Sequence, residues 1–268
     1  MKRINIVTTT YNDAHKYLIE TIQSVNRQVF SNSQHEIIHT IVNDGSTSIE
    51  SINYLEKIEG LKSINFISQK NSGLSAARNK GIESVSSDYI LPLDADDLIH
   101  PCLLEILIKE MTKTKNNNKI AFSNWASFGA YKRMIKVRQP TPYTIRYTNY
   151  LPVTVLMPTQ LCLDNKYDEN MNYGCEDWEL WIRLICSGCS LLHNSLYGYY
   201  HREHSVNMTD KTLNKMSLIR QYIKEKHQNL YSYEYNKTAR KKFKPSIYDN
   251  LRCQTSPLLR RSIISLIR

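Results

Sequence analysis

Three carboxylates crowd together where an apolar run of the chain ends. Residues 89–93 form a short apolar run typical of a buried strand, and Asp94, Asp96 and Asp97 follow it. Carboxylates this close repel one another unless positive charge lies between them, and a divalent cation usually supplies it. On an extended strand Asp94 and Asp96 would point the same way, which suits oxygen ligation of Mg²⁺ or Mn²⁺. This pattern favours metal or phosphate chemistry; the alternative is a helix start with acids in its first turn.

Strands and helices alternate four times up to these acids. We predict strands at residues 4–9, 35–42, 64–67 and 89–93, and helices at about 14–30, around 52–55 and at about 75–85. Such alternation predicts an α/β fold with a mostly parallel central sheet, whose ligands bind beyond the carboxyl ends of the strands.

Three polar turns, at residues 9–12, 43–46 and 94–97, each follow a predicted strand. They should therefore meet at one edge of the sheet, as in a nucleotide site. Neither GxGxxG nor GxxxxGK[ST] follows the first strand, so a dinucleotide fold and a P-loop are both excluded. A metal at Asp94 and Asp96 is the remaining agent that could hold a diphosphate.

Two short patterns look like zinc sites. His35 to His39 matches HExxH, which requires a helix, but its neighbours favour a strand, where positions four apart lie roughly 13 Å apart. A zinc protease is therefore excluded. Cys186 and Cys189 form a CxxC pair without a second close pair, so buried reduced thiols are favoured over a zinc site.

The charge of the chain is unevenly placed. Residues 211–268 contain fourteen Lys or Arg and three acids, a net charge of +11. The net charge of all 268 residues is +10, so the basic excess lies in this tail. Such a basic tail favours an anionic surface as partner. The sequence contains no apolar run of about 18 residues, so no membrane span is predicted. The start of the chain turns polar too early for a signal peptide. We expect a cytoplasmic protein, peripheral on the inner face of the membrane if the tail binds lipid.

Five short motifs occur in the order and rough spacing of the family-2 glycosyltransferases with a GT-A fold. They are Thr10-Tyr11-Asn12, Asn43-Asp44-Gly45-Ser46-Thr47, the stretch from Asn71 to Gly81, Leu93-Asp94-Ala95-Asp96-Asp97, and Gly174-Cys175-Glu176-Asp177-Trp178. The chain resembles this family over about residues 3–210. The resemblance implies a catalytic domain at residues 1–210, with a Rossmann-like, mostly parallel sheet flanked by helices. Residues 211–268 would form a basic helical extension.

The resemblance also implies roles for individual residues. Nucleotide or donor binding would involve Thr9, Tyr11, Asn12, Asp44, Gly73, Arg78, Asp94, Ala95 and Arg202. Tyr11 would stack on the base, and Asp44 would accept the N3 hydrogen of uracil or thymine. Asp96, with His204, would hold Mn²⁺ or Mg²⁺, which neutralises the leaving nucleoside diphosphate.

Glu176-Asp177-Trp178 opens a predicted helix. Taken alone, the pattern also fits an ordinary helix start with acids near its N-terminus. The resemblance implies that Asp177, rather than Glu176, is the general base that removes a proton from the acceptor hydroxyl. Direct displacement with one base inverts the anomeric configuration.

Two departures from the family's pattern affect these roles. Asn43 stands where aspartate is common, which bears on the choice of nucleotide. His201 stands where tyrosine is usual, in the segment 201–209 that would close over the nucleotide.

Two further segments carry predictions of their own. Residues 139–150 are rich in Pro, Thr and Tyr without periodicity, which predicts a stiff loop that stacks sugars over the acceptor site. Residues 258–268 place apolar and basic side chains on different helical faces, as in an interfacial membrane helix. The alternative is a helix that packs back on the domain. Nucleic-acid binding is not expected, because no recognised module accompanies the charge.

Together these patterns predict an inverting, metal-dependent glycosyltransferase that uses a nucleoside-diphosphate sugar, most simply a UDP-sugar. The acceptor would be a saccharide, lipid-linked in view of the tail, as in bacterial surface polysaccharide (O-antigen or capsule) synthesis. One alternative is a sugar nucleotidyltransferase, although residues 9–13 lack its glycine-rich basic loop. The other is a non-catalytic glycan- or membrane-binding module.

Overall fold

The computed structural model describes residues 1–31, 35–204 and 208–254, and for residues 208–214 and 251–254 only the backbone. Its strands are β1 (Lys2–Thr10), β2 (His35–Asn43), β3 (Ile64–Ser68), β4 (Tyr89–Pro92), β5 (Leu98–Ile99), β6 (Lys119–Gly129), β7 (Arg133–Ile135), β8 (Met157–Pro158) and β9 (Ser190–Glu203). Its helices are α1 (Ala14–Asn26), α2 (Ile49–Glu59), α3 (Leu74–Glu83), α4 (Leu103–Thr112), α5 (Thr159–Asp164), α6 (Glu176–Cys186), α7 (Met208–Lys226), α8 (Gln228–Tyr231), α9 (Tyr233–Phe243) and α10 (Ile247–Gln254).

The central sheet has the strand order β3-β2-β1-β4-β8 within the described residues. Strands β1 to β4 run parallel, and β8 is antiparallel to β4. Side chains alternate between two faces along β1: Ile4 and Ile6 pack in one apolar cluster with Leu104 of α4, whereas Val7 packs in another with Ile82 of α3. Because helices cover both faces of the sheet, both sides of each strand are buried, and the sequences of these strands are continuous apolar runs. The predicted α/β fold with a mostly parallel central sheet is confirmed.

A second sheet, of order β5-β9-β6-β7 in the described part of the chain, lies next to the acids. Strand β9 runs parallel to β6 and antiparallel to the short strand β5, which pairs Ile99 with Tyr199. Since β5 directly follows the acidic turn, this pairing brings the end of β9, with His201 and Arg202, beside Asp97.

Helix α1 is shorter than predicted and ends at Asn26 instead of about residue 30. The chain leaves the helix because Val29 N donates to Pro101 O (2.9 Å), and because Gln28 binds both His100 O (2.9 Å) and Leu104 N (3.1 Å). The apolar spacing alone continues past this point, so only the tertiary contact marks the end of the helix.

Gly81 of α3 packs directly on the sheet. A Cβ atom at this position would lie 2.5 Å from Val7 Cγ1 and 3.0 Å from Val42 Cγ2. Overpacking a core costs about 1–3 kcal/mol, which exceeds the gain of about 1 kcal/mol in helix propensity. We therefore expect Gly81→Ala to lower the free energy of unfolding, measured by urea denaturation. Gly60→Ala, which meets nothing within 4 Å, is the control and should leave stability unchanged or higher.

The C-terminal helices pack on the rest of the chain. Ile219 and Ile223 of α7 are buried in the same apolar cluster as Trp178 and Trp181 of α6. The helix predicted from about residue 211 to 226 is therefore present as α7. The amphipathic segment 258–268 lies outside the described residues. Among the helices described, none is both long and apolar enough to cross a membrane.

Neither zinc-like pattern forms a metal site among the described residues. His39 lies on strand β2, where its ring nitrogen is 3.0 Å from Thr8 Oγ1, and burial lowers its pKa to about 4. Cys186 and Cys189 are free thiols, and burial raises the pKa of Cys189 to about 12. The prediction that the histidine pattern lies on a strand is confirmed.

Candidate active site

The three polar turns meet at the carboxyl edge of the central sheet, as predicted. Asn12 adopts a left-handed backbone conformation (φ 62°), which asparagine tolerates, and its Oδ1 accepts from Thr47 N (2.6 Å). Its own N–H donates to Ser46 Oγ (2.9 Å). Thr21 of α1 donates to the carbonyl of Ala95 (2.8 Å) and so ties the acidic turn to the first helix.

Asp44 organises the loop before α3. Its buried carboxylate accepts from Gln69 Nε2 (2.8 Å), Ser72 N (2.9 Å) and Gly73 N (2.9 Å). An ionised carboxylate has about four acceptor positions, so one position is left for an external N–H donor. Nearby at the end of β1, Thr9 is buried, whereas the ring of Tyr11 is 49% exposed and is available to stack on a flat ligand.

The acids at 94–97 lie in a turn. Strand β4 ends at Pro92, and Asp97 N donates to Asp94 O (3.2 Å). The polar turn predicted at residues 94–97 is therefore present, and Asp94 and Asp96 do not lie on an extended strand that would point them the same way, because this bond folds the chain back before β5. Each carboxylate also has a partner of its own within the chain: Arg78 for Asp94, His204 for Asp96, and Tyr199, His201 and Arg202 N for Asp97. A metal is thus not needed to separate the three charges.

Asp97 anchors strand β9. Its fully buried carboxylate accepts from the Tyr199 hydroxyl and from Arg202 N (2.7 Å), and lies 3.2 Å from His201 Nδ1. Burial alone would lower the pKa of His201, but the hydrogen bond and negative charge of Asp97 raise it to about 9. The two residues form a structural ion pair that joins the acidic turn to the second sheet.

Asp96 and His204 are the two predicted metal ligands, and the structure brings them together. His204 Nε2 lies 2.7 Å from Asp96 Oδ2, and both side chains are about one-third exposed. A carboxylate and an imidazole suit Mn²⁺. Among the described residues no group of three or more His, Cys, Asp or Glu is placed to hold a metal. This pair could therefore hold a cation only together with other ligands, such as the oxygens of a bound diphosphate.

Arg202 is held in place by several contacts. Its guanidinium stacks on Tyr17 and Phe128, 4.4 Å from each ring centroid, and donates to Asp96 O (2.8 Å) and to Glu20 (2.9 Å). Planar guanidinium groups favour such stacking. Arg202 thus fixes the backbone of the acidic turn and adds positive charge beside it.

Arg78 links the acidic turn to the start of α6. The buried guanidinium donates to Asp94 (2.6 Å) and to Glu176, whose carboxylate is also buried. Burial alone would lower the pKa of Arg78, but the charges of Asp94 and Glu176 hold it well above its ordinary value. The ring of Tyr167 covers the guanidinium at 5.3 Å. Arg78 thus holds the Glu176 carboxylate toward the acidic turn.

Asp177 is the carboxylate at this end of α6 suited to proton transfer. It is half-buried, and accepts from Trp178 N (2.7 Å) on Oδ1 and from Asn149 Nδ2 (2.9 Å) on Oδ2. Burial and the neighbouring Glu176 raise the pKa of Asp177 to about 7, while Arg78 opposes the shift. A carboxylate with a pKa near working pH is an effective general base.

Two contacts at this site were missed by sequence reasoning. Tyr17 on α1 stacks on Arg202, and Asn149 binds Asp177. No local pattern marks either residue, because both act across long sequence separations. The composition of the segment 139–150 indicated a role near the acceptor. In the structure Tyr143 is buried, and its ring and that of Tyr147 pack against the guanidinium of Arg146. The prediction of a sugar-stacking surface is therefore wrong for Tyr143, whose ring is buried.

Several known proteins are similar to this chain in sequence. An uncharacterized glycosyltransferase of Methanocaldococcus jannaschii is 29% identical over 69% of this chain and 65% of its own length. GlyA, a glycosyltransferase of Streptococcus pneumoniae, is 34% identical over 49% of this chain, and the poly(ribitol-phosphate) β-N-acetylglucosaminyltransferase TarP of Staphylococcus aureus is 32% identical over 40%. The matches cover only 18% of GlyA and 32% of TarP. The chain thus spans less than two-thirds of each of these relatives.

The fold is also similar to a solved structure. The crystal structure of S. aureus TarS residues 1–349 in complex with UDP-GlcNAc superposes with a TM-score of 0.61 and 19% identity, over 94% of this chain and 78% of that one. The similarity shows a shared GT-A fold. The model of glycosyl transferase family 2 matches residues 5–162, which is more than half of the chain. The chain therefore belongs to glycosyltransferase family 2 and has the GT-A fold.

Proposed function

We propose that this enzyme transfers a sugar from a UDP-sugar to a saccharide acceptor with inversion, using Asp177 as general base. One observation carries the proposal. Arg78 binds both Asp94 in the acidic turn and Glu176, the residue before Asp177. The turn that would bind the donor and the carboxylate that would activate the acceptor are thereby fixed to each other, as a displacement between two oriented reactants requires.

The donor side of the site fits a uracil nucleotide. Asp44 keeps one acceptor position for the N3 hydrogen of the base, and the exposed ring of Tyr11 can stack on it. Asn12, Gly73 and Ala95 lie in the loops of the same edge, where they bond Thr47 N, Asp44 and Thr21, respectively. The TarS complex with UDP-GlcNAc and the N-acetylglucosaminyltransferase name of TarP make UDP-GlcNAc the first donor to test.

Asp96 and His204 would hold a divalent cation together with the diphosphate of the donor. Mn²⁺ or Mg²⁺ would neutralise charge on the leaving nucleoside diphosphate. Arg202, fixed against Asp96 O, would add a positive charge on the same side.

The acceptor is proposed from the relatives and from the charge of the chain. TarP and GlyA are bacterial glycosyltransferases, and the name of TarP specifies a polymer of ribitol phosphate. We propose a saccharide acceptor, lipid-linked, in O-antigen or capsule synthesis. Helix α9 exposes Lys237, Arg240 and Lys241, which suits an anionic membrane surface on the cytoplasmic side. A nucleic-acid partner is not proposed.

Thermal unfolding with a panel of nucleotides tests the proposal. A ligand present at 100 times its Kd stabilises the native state by about 2.7 kcal/mol. We expect UDP and UDP-GlcNAc to raise the Tm in the presence of Mn²⁺, and less in its absence. A shift with nucleoside triphosphates alone would support a sugar nucleotidyltransferase, and no shift with any nucleotide would support a non-catalytic binding module.

Asp44→Asn is expected to weaken UDP binding and to lower stability. An amide replaces one acceptor oxygen with a donor, so it cannot accept all three hydrogen bonds of Asp44 and leaves a partner unpaired, at about 1–3 kcal/mol. Calorimetric titration with UDP and thermal unfolding measure the two effects. Asp88→Asn is the control, because Asp88 also accepts a backbone N–H, from Arg3 (2.8 Å), but at the opposite edge of the sheet. Equal UDP affinity in the two variants would show that Asp44 does not bind the donor.

The rate of transfer should rise with pH through about 7. Because the pKa of Asp177 is raised to about 7, the carboxylate is protonated and inactive as a base below this pH and ionised above it. We expect kcat, followed by UDP release between pH 5.5 and 8.5, to fall about tenfold per unit on the acidic side. A rate that is constant or declines from pH 6 to 8 would exclude Asp177 as the base.

A further inference from the structure

We propose that Asn149 is a positioning residue for Asp177 and that the C-terminal helices hold it in place through Arg146. The inference rests on the proposed function, since it concerns the same base. It begins from the contact of Asn149 Nδ2 with Asp177 Oδ2, at 2.9 Å. These two residues come from different segments, one from residues 139–150 and the other from helix α6.

The side-chain amide of Asn149 has one orientation. Its Oδ1 accepts from Leu151 N (3.2 Å), so the NH₂ group must face Asp177. With Trp178 N on the other carboxylate oxygen (2.7 Å), Asp177 is fixed by two donors. Its remaining acceptor positions are free to take the proton of an acceptor hydroxyl.

Arg146 fastens the segment that carries Asn149. Its side chain is nearly fully buried, and it donates to Pro142 O (2.8 Å), to Asn236 Oδ1 (3.0 Å) and to Leu230 O. Four tyrosine rings lie 4.9–5.7 Å from the guanidinium: Tyr143, Tyr147, Tyr231 and Tyr235. Two of these rings belong to the segment and two to the C-terminal helices. We call this arrangement the Arg146 clamp.

A second contact fixes the same segment to the helix of the base. Trp178 Nε1 donates to Ile145 O (2.6 Å). Trp178 follows Asp177 on α6, and Ile145 precedes Arg146 in the segment. The segment is thus held between α6 on one side and helices α8 and α9 on the other. Those helices, like Asp177 itself, lie beyond residues 5–162, which the family model matches.

The effect of Asn149 on the pKa of Asp177 can be measured separately from the effects of the neighbouring charged groups. Glu176 raises its pKa and Arg78 lowers it, and Cys175 and Tyr167 are the other titratable groups that interact with it. In the described part of the chain Asn149 hydrogen-bonds Asp177 and Leu151 N and none of these four groups, so replacing Asn149 leaves their contacts unchanged. A hydrogen bond to an ionised carboxylate favours the ionised form, and its loss should raise the pKa of the base by about one unit.

Asn149→Leu keeps the size of the side chain without the donor. We expect the acidic limb of its kcat profile to move up by about one pH unit, so that kcat falls about tenfold at pH 6 and by no more than about threefold at pH 9. The KM for the donor should not change. An acidic limb in the wild-type position would overturn the positioning role, because a merely structural residue would lower kcat equally at all pH values.

Arg146→Met tests the clamp. It should shift the profile in the same direction as Asn149→Leu, and the double variant should shift it no further than Asn149→Leu alone, since both act through one contact. Arg138→Met is the control: Arg138 binds Asp249 of α10 (2.8 Å) but lies outside the clamp, and its profile should match the wild type. Additive shifts, or an unshifted Arg146→Met profile in a folded protein, would overturn the coupling.

The outcomes also separate this inference from the proposed function. Absence of UDP release by the wild-type chain from any UDP-sugar would reject the proposed function. Wild-type turnover with unshifted variants would reject the positioning role alone. Limited proteolysis of each variant checks that the C-terminal helices remain docked, because a released helix would expose its tyrosines.

Discussion

Replacing Asp177 with asparagine is expected to lower glycosyl transfer by about 10²–10⁴, the usual contribution of a positioned general base. The amide has nearly the same shape and can still accept from Asn149 or Trp178 N, which are the two donors to this side chain. The fold and the donor site should therefore be preserved. The loss should appear in kcat, because the base acts only as the acceptor attacks.

The measurement for this variant is acceptor-dependent UDP release at pH 8, where wild-type Asp177 is ionised. Asp164→Asn is the matched control, since it makes the same chemical change at an exposed carboxylate that accepts from Gln160 Nε2 (2.8 Å). We expect the control to equal the wild type in rate. Asp177→Asn activity within about threefold of the control would show that another group takes up the proton.

Replacing Arg78 with methionine should have the largest effect on stability. The guanidinium is buried between Asp94 and Glu176, with side-chain exposures of 3% for Arg78 and 8% for Glu176. Removing one partner of a buried ion pair leaves an uncompensated charge and costs about 3–5 kcal/mol. For a protein of this size we expect a Tm about 6–15 °C lower.

Arg3→Met provides the control for this experiment. Arg3 pairs with Glu36 at 2.9 Å, but both side chains are more than 40% exposed, and exposed ion pairs contribute about 0–1 kcal/mol. Thermal unfolding of the two variants compares the same substitution at a buried and an exposed pair. Equal Tm values would mean that Glu176 is solvated when Arg78 is absent, and that the ion pair does not hold the site together.

Parts of this structure with a local signal could be predicted from the sequence. The apolar runs and polar turns of the first 97 residues predict the parallel strands and the edge at which the turns meet, because strand polarity places every carboxyl end on the same side. The contact of Asn12 with Thr47 and the loop around Asp44 confirm that convergence. In contrast, the end of α1 depends on a contact with Pro101 that no pattern in the helix records.

The candidate site could be predicted as a set of residues, but not as a network. Asp94, Asp96 and Asp97 look alike in the sequence, yet the structure gives each a different partner, supplied by α3, by His204 directly after β9, and by β9, respectively. The positive charge that separates them comes from Arg78 and from the end of β9, more than a hundred residues away. Long-range pairing of this kind leaves no periodic trace in a single sequence.

The C-terminal region shows the same limit. Its basic composition predicts an external surface, and α9 exposes several of those charges. Composition does not show that Asn236 and two tyrosines of these helices surround Arg146. Burial of an arginine among aromatic rings depends on where the segment 139–150 folds.

The configuration of the sugar released from an α-linked UDP-sugar shows whether transfer proceeds with inversion at Asp177. With Mn²⁺ present and no acceptor, water can take the place of the acceptor hydroxyl at Asp177, and ¹H NMR distinguishes the anomers before they interconvert. We expect release of UDP together with the β-anomer of GlcNAc from UDP-GlcNAc, at a rate that Asp177→Asn lowers. First appearance of the α-anomer, or no release of UDP from any UDP-sugar, would contradict it.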